Sequence, residues 1–160
     1  MTDATDILNV LGRYARAHDY RDSEAMAALF ADHATIEIFN ARGSTMTPIG
    51  KLEGLPAIRD AVRQMMAPHG ERAWSQNVIS APIIDVGGDE AVIDAQFMVF
   101  SIVAATEPEN GWPAATFGAQ GAIVPIEAGQ YRAHLRRTAR GWTIAAMRIE
   151  HRLPMVFGQG

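Results

Sequence analysis

The residue types best suited to proton chemistry stand near the end of the first predicted helix. Tyr14 and His18 share one face of that helix, and Asp19 follows directly. Burial against a core shifts the acidity of such groups, which is what a general acid or base needs. The segment therefore predicts an acid–base site. The alternative is that Asp19 only caps the helix or pairs with Arg16 or Arg21.

A second candidate site residue, Arg148, lies near the end of the chain. Arg148 follows Trp142 and Ile144 at even spacing. If those two side chains face the core, strand alternation turns Arg148 inward as well. An inward arginine would bind a carboxylate, phenolate or enolate. An ion pair with an acidic neighbour such as Glu150 is an equally open interpretation.

Composition and motifs argue against several kinds of chemistry. The chain has no cysteine, and no two of its five histidines have the close spacing of metal ligands. No Gly-rich phosphate loop or nucleotide fingerprint is present. We therefore expect neither a metal nor a cofactor.

Charge and hydropathy bear on partners and compartment. The net charge is -4 with a sequence pI near 5.7, which does not suit nucleic acid. No stretch approaches the roughly 18 apolar residues of a membrane span, so no membrane partner is expected. The opening MTDATDIL lacks the basic start and apolar run of a signal peptide, so we expect a cytoplasmic protein.

The elements that must position these residues are predicted as helices first and strands afterwards. Such segregation predicts the α+β class, with three N-terminal helices packed on a curved, mostly antiparallel sheet. We expect one domain over 1–160. The predicted helices cover about 4–19, 23–31 and 55–67, and the predicted sheet covers about 34–39 and 74–151, with a short strand around 49–52.

One long segment has no predicted helix or strand. Residues 107–121 read EPENGWPAATFGAQG. A loop of this length in a compact domain is more often functional or disordered than incidental. It is interpreted as a loose surface loop, a lid over a pocket or a dimer contact.

Short motifs with a family character occur along nearly the whole chain. They are Arg13-Tyr14, Asp22, Ala28-Leu29-Phe30-Ala31-Asp32, Ala34-Thr35, Glu37, Asp85-Val86-Gly87-Gly88-Asp89-Glu90-Ala91, Gly129-Gln130-Tyr131, Arg137-Thr138 and Gly141-Trp142-Thr143-Ile144. This set resembles the nuclear transport factor 2-like superfamily, in particular its SnoaL-like, scytalone dehydratase-like and ketosteroid isomerase-like members. The resemblance implies a cone-shaped fold that carries isomerases, dehydratases and non-catalytic binding modules.

The resemblance also assigns residues. Tyr14 matches the tyrosine that donates a hydrogen bond in ketosteroid isomerases, but Ile38 occupies the position of their base, so that reaction is disfavoured. Asp19 matches the acidic residue of the dehydratase branch, whereas the position of its histidine partner falls on Asn77. An Asn hydrogen-bonds but does not relay a proton. The histidines that could replace the missing one are His18, His134 and His151.

These matches imply a cofactor-independent lyase or isomerase of the dehydratase type. It would act on a small hydrophobic cyclic or aromatic hydroxy or oxo compound by general-base proton abstraction. Asp19 would be the base, Tyr14 and Asn77 hydrogen-bond donors, and Arg148 an anion anchor. The alternatives are a non-catalytic module with a degenerate site, or an assembly subunit resembling the small subunits of ring dioxygenases. In each case we expect a homodimer.

Overall fold

The computed structural model describes residues 2–158. Ten elements follow one another in the order α1 (Asp3–Tyr20), α2 (Ser23–Ala27), β1 (Phe30–Arg42), β2 (Thr45–Glu53), α3 (Gly54–Asp60), a π-helical turn (Ala61–Met65), β3 (Ala73–Gly87), β4 (Glu90–Ala104), β5 (Gly121–Thr138) and β6 (Gly141–His151). The six strands form one sheet in the order β2-β1-β6-β5-β4-β3.

The sheet is antiparallel except where β1 runs parallel to β6. The helices cover one face of it, and a single apolar cluster lies between the two layers. Helices that precede a largely antiparallel sheet and pack on one of its faces define the α+β class, so the predicted fold class is confirmed.

Helix α1 forms where the sequence predicts it and positions the first candidate residues. Thr2 caps its start, since the Thr2 hydroxyl accepts the backbone N–H of Thr5. Its buried face carries Ile7, Leu11 and Tyr14 toward the sheet. The helix ends at Arg21, whose backbone takes the left-handed conformation (φ 55°) and turns the chain sharply.

The second and third helices are shorter than predicted. Helix α2 ends at Ala27 because β6 pairs with the chain that follows: the N–H of Ile144 donates to the carbonyl of Leu29, and Phe30 is already in register with Ile144. Strand β1 therefore starts at Phe30. Helix α3 is α-helical only to Asp60 and continues as the π-helical turn, a wider form often found at functional sites.

A β-bulge in β6 overturns the prediction for Arg148. Leu135 pairs with Ile144 and His134 with Ala146, so Ala145 has no opposite residue in β5. One extra residue reverses the alternation of side chains beyond it. Ile149 therefore faces the helices, and Arg148 lies on the other face of the sheet. The prediction that Arg148 points inward was wrong for this reason.

Candidate active site

A cavity of about 610 Å³ lies between the helices, the sheet and the C-terminal tail, which we define as residues 152–158. Its wall is largely apolar, with side chains from every layer, including Met26, Ile36, Ile38, Leu52, Ile58, Val62, Val99 and Ile149. The polar and ionisable groups on the wall are Tyr14, His18, Arg21, Gln64, Ser75, Glu127, Tyr131 and His151. An apolar cavity with a few converging polar groups is the usual form of a small-molecule site.

His18, Asp19 and Asn77 form a connected chain of contacts at one side of this cavity. Asp19 is only 5% exposed and is not on the wall. Its Oδ1 accepts the backbone N–H of Asn77 at 2.7 Å and lies 3.3 Å from Nδ1 of His18. His18 itself is on the wall. The group that faces the cavity is therefore the imidazole, with the carboxylate predicted as the base behind it.

The side chain of Asn77, which the sequence predicts as a hydrogen-bond donor to the substrate, is bonded to a tyrosine instead. Its Nδ2 donates to the hydroxyl of Tyr131 at 2.8 Å, while its Oδ1 is buried without a hydrogen-bond partner among residues 2–158. Asn77 is not part of the cavity wall. It therefore connects Asp19, through its backbone, with Tyr131, through its amide.

Tyr14 and Tyr131 form a pair of buried phenols at the floor of the cavity. Burial raises the pKa of Tyr14, the charge of Glu127 raises it further, and a hydrogen bond with Tyr131 partly offsets both. Burial likewise raises the pKa of Tyr131 well above its ordinary value. The Tyr131 ring stacks on Phe97 with centroids 4.1 Å apart, which fixes its position. Both phenols stay protonated at neutral pH and can act only as neutral donors or acceptors.

Glu127 and His151 are wall residues on adjacent strands. Gly129 pairs with His151, and a Cβ at Gly129 would overlap the carbonyl oxygen of Glu150, so only glycine allows this approach of β5 to β6. Oε2 of Glu127 lies 4.0 Å from Nδ1 of His151. Burial raises the pKa of Glu127, an effect that His18 and Arg21 partly offset. Burial lowers the pKa of His151, which keeps its ring neutral at neutral pH.

The sequence contained a signal for Glu127 that the prediction did not use. Glu127, Gly129, Tyr131 and Ala133 alternate along β5, so a strand that buries Tyr131 must also turn Glu127 toward the helices. In the sequence, Tyr131 was noted only as part of a family motif, although its hydroxyl accepts a hydrogen bond from Asn77.

Two predicted site residues lie away from the cavity. Arg148 pairs with Glu150 at 3.0 Å and stacks over Phe39 at 4.3 Å, on the face of the sheet opposite the helices. His134 is exposed on that same face, since its neighbours Ala133 and Leu135 are buried. Neither side chain is within reach of a ligand in the cavity, and both predictions of a role there were wrong.

The cavity is covered by the C-terminal tail. The Asn40 side chain donates to the Met155 carbonyl at 2.9 Å and accepts the Met155 N–H at 2.8 Å. This pair of bonds holds Met155, Val156 and Phe157 on the wall. Loop 107–121 contributes no residue to the wall. The covering segment is therefore the tail and not the loop that the sequence had suggested as a lid.

A metal site and a membrane-spanning helix are both absent from the described part of the chain. Across residues 2–158, no three His, Asp, Glu or Cys side chains come together as a metal site would require. Within the same range, no helix is long and apolar enough to span a membrane.

Comparison with solved structures supports the fold. A Novosphingobium aromaticivorans protein with a nuclear transport factor 2-like, cystatin-like fold superposes with a TM-score of 0.66 at 19% identity, over 96% of this chain and 84% of that one. A suggested dehydratase of the same family from Streptomyces avermitilis gives 0.62 at 15% identity, over 95% and 97%. The beta subunit of a suggested aromatic-ring-hydroxylating dioxygenase from Novosphingobium aromaticivorans gives 0.68 at 14% identity, over 95% and 90%.

These identities are low, so the likenesses establish the fold alone. A search of curated proteins found no match. The SnoaL-like domain model, in contrast, matches residues 1–148, which includes every strand except the end of β6. The chain therefore belongs to the SnoaL-like domain family and has the nuclear transport factor 2-like fold that its sequence motifs indicated.

Proposed function

We propose that the protein is a cofactor-independent lyase or isomerase of the dehydratase type, with His18 as its general base. Its substrate would be a small hydrophobic cyclic or aromatic hydroxy or oxo compound. The observation that carries this proposal is the chain of contacts from the cavity to His18, from His18 to Asp19, and from Asp19 to the backbone of Asn77.

The arrangement suits proton abstraction for a definite reason. If Nδ1 of His18 carries its proton toward Asp19, Nε2 has a free lone pair for a substrate proton. The buried carboxylate of Asp19 then stabilises the imidazolium that forms. Asp19 acts through His18 in this scheme, so its catalytic contribution differs from the direct role expected from the sequence.

The cavity also holds groups that could assist a leaving oxygen. Glu127, whose pKa is raised by burial, could donate a proton to a departing hydroxyl group. In a dehydration, His18 would take the proton next to a carbonyl group, the carbon–oxygen bond would break, and the oxygen would leave as water. Tyr14 could stabilise the enolate as a neutral hydrogen-bond donor, while Tyr131 donates its own proton to the Tyr14 oxygen.

One observation favours the non-catalytic alternative. Asp19 accepts a backbone N–H and therefore ties α1 to β3, which is a structural role that needs no reaction. A binding protein would keep the cavity and this tie but would not move a proton. The two functions make different predictions for a bound ketone: an enzyme would exchange the hydrogen atoms next to the carbonyl group with solvent, and a binding protein would not.

The test is deuterium exchange at carbon. The protein is incubated in heavy water with a tetralone and with its beta-hydroxy derivative, and exchange next to the carbonyl is followed by NMR, together with release of the naphthol that dehydration would give. His18→Gln should slow exchange by at least about a hundredfold, because it removes the base. His134→Gln is the matched control, since that histidine is exposed on the opposite face of the sheet.

Exchange that survives His18→Gln within a few-fold would eliminate His18 as the base. Saturable binding of the tetralone without any exchange would favour the binding module. Asp19→Asn is a second test. It should reduce exchange less than His18→Gln does, because the amide oxygen of the asparagine can still accept a hydrogen bond from Nδ1–H of His18.

The assembly of the protein is a separate proposal. Val78 and Met98 are directly paired, are 39% and 45% exposed, and lie on the sheet face away from the cavity. Apolar side chains at this place support a homodimer. Light scattering after size exclusion would test it, with Met98→Lys expected to give monomers. A stable lone homodimer would argue against the assembly-subunit alternative.

A further inference from the structure

We propose that Arg21 and Ser75 form an anchor for the carboxylate or phenolate oxygen of an otherwise apolar ligand in the cavity. This inference deepens the proposed function, on which it rests, by naming the substrate class. The sequence had assigned an anion anchor to Arg148, which faces away from the cavity. Arg21 is the arginine that does line the wall.

The guanidinium group of Arg21 is held rigidly at this wall. Its Nε donates to the carbonyl of Ala67 at 3.1 Å, one terminal nitrogen donates to the carbonyl of His18 at 2.7 Å, and the other donates to Oγ of Ser75 at 3.0 Å. A guanidinium has five N–H donors, so these contacts leave two for a ligand. A group held in this way loses little freedom when it binds.

The backbone of Arg21 is also unusual. Its φ of 55° lies in the left-handed region, where a side chain other than glycine costs about 1 kcal/mol. Such conformations persist where the surrounding structure enforces them, often at ligand sites. Here the turn places the guanidinium at the junction of α1, the segment after the π-helical turn and β3.

The positive charge of Arg21 has no close partner. Arg132 pairs with Asp94 and Arg137 with Asp89, whereas no carboxylate of residues 2–158 forms an ion pair with Arg21. Asp19 and Glu127 act on it only through space, and burial lowers its pKa. A partly buried cation beside an apolar cavity gains stability when an anion binds to it.

Ser75 supplies the second contact. It is 6% exposed and lies on the cavity wall. Because its oxygen accepts from Arg21, its own hydroxyl proton is available to donate to the same ligand oxygen. The pair offers three directed donors, which suits one carboxylate or phenolate better than a neutral carbonyl group.

The other ionisable groups of the cavity are compatible with an anion. Glu127 is the one carboxyl group that the described chain places on this wall, and its raised pKa lessens its repulsion of an anion as the pH falls. The imidazoles of His18 and His151 bring no negative charge to this wall. The arrangement predicts that anion binding strengthens toward acidic pH, while a neutral ligand is less affected.

The test compares two probes of nearly the same shape by isothermal titration calorimetry. Naphthoate carries the carboxylate, and naphthamide replaces it with a neutral amide. The wild-type protein should bind naphthoate at least about tenfold more tightly, as expected for charge-assisted hydrogen bonds. Equal affinity for the two probes, or millimolar binding of both, would overturn the proposal.

Variants locate the anchor. Arg21→Gln should abolish the preference for naphthoate, but it also removes structural contacts, so its fold is checked by circular dichroism. Ser75→Ala leaves the guanidinium in place and should weaken naphthoate binding about threefold to tenfold, with naphthamide unchanged. Arg148→Gln is the matched control and should leave both affinities unchanged. A preference that persists in both Arg21→Gln and Ser75→Ala would contradict the assignment.

The two proposals can fail separately. Deuterium exchange that depends on His18 without a preference for naphthoate would keep the enzyme and eliminate the anchor. A preference for naphthoate that depends on Arg21, without any exchange, would keep the anchor in a binding protein.

Discussion

The two sides of the cavity are built in opposite ways. One side, which we call the polar wall, consists of His18, Arg21, Ser75 and Glu127 on α1, the turn after it, β3 and β5. The other, the apolar wall, consists of side chains from β1, β2, α3 and the tail, among them Ile38, Leu52, Ile58, Met155 and Phe157. The polar wall is fixed by hydrogen bonds between distant parts of the chain, whereas the apolar wall is fixed mainly by packing.

This difference between the two walls indicates that they have different roles in the cavity. Two hydrogen bonds, one donated by the Asn77 backbone N–H to Asp19 and one donated by Arg21 to Ser75, hold the polar wall in one geometry, as a catalytic site requires. The tail begins at Arg152, which donates hydrogen bonds to Gly43, Ala128 and Gln130. Further along, it is hydrogen-bonded to Asn40 at Met155, and Val156 is 82% exposed. Under the proposed function, the rigid polar wall would carry out the chemistry, and the adjustable apolar wall would limit the size of the ligand.

The largest effect is expected when the polar wall loses Asp19. Asp19→Ala leaves the buried N–H of Asn77 without its acceptor, and we expect a loss of about 1–3 kcal/mol in the free energy of unfolding. Urea denaturation measures it. Asp19→Asn retains an oxygen at the same place and should lose clearly less. Asp85→Ala, an exposed position, should stay within about 0.5 kcal/mol. Equal losses for Asp19→Ala and Asp85→Ala would show that the tie is unimportant.

A smaller effect is expected at the apolar wall. Asn40→Ala removes both hydrogen bonds to Met155, but the tail can open locally, so the global free energy of unfolding should fall by less than about 1 kcal/mol. Hydrogen exchange of residues 153–158 should become faster, and ligands larger than naphthalene should bind more readily. Asn40→Asp keeps the acceptor only and should be intermediate. Unchanged exchange of the tail in Asn40→Ala would contradict its attachment through Asn40.

The smallest effect concerns the pH dependence of stability. Burial raises the pKa of Glu127 in the folded protein, so the folded state binds a proton more tightly than the unfolded state. The stability that this group contributes is present below its unfolded pKa and is lost as the pH rises through its folded pKa. Glu127→Gln should therefore melt at a higher temperature than the wild type at neutral pH, with no difference near about pH 4. A lower melting temperature at neutral pH would contradict this sign.

The fold could be predicted from the sequence more fully than the site. The amphipathic α1 and the later strands depend on local periodicity: the predicted helix 4–19 lies close to Asp3–Tyr20, and the predicted sheet 74–151 begins and ends within one residue of the start of β3 and the end of β6. Pairing of Leu29 and Phe30 with β6, which shortened α2, depends on residues more than a hundred positions away. Periodicity does not contain such information.

The errors at the site have similar causes. The bulge at Ala145 reversed the direction of Arg148, and no local pattern announced it. His18 and Asp19 were correctly placed at one helix end, but which of them reaches the cavity depends on the three-dimensional position of the Asn77 backbone. Glu127 was overlooked although strand alternation from Tyr131 would have identified it. The sequence prediction of the site therefore lacked mainly the directions of the side chains, and less often the identities of the residues.

The central claim is that the polar wall orients His18 as a base, and its tautomer tests this directly. Nitrogen-15 NMR of the histidine rings at about pH 8.5, well above the ordinary histidine pKa, would distinguish the two neutral forms, with His18→Gln used for assignment. The account predicts a proton on Nδ1, facing Asp19, and an unprotonated Nε2 toward the cavity. A proton on Nε2 would contradict it, because the lone pair of the imidazole would then be on Nδ1, next to Asp19, and not on the nitrogen available to a substrate.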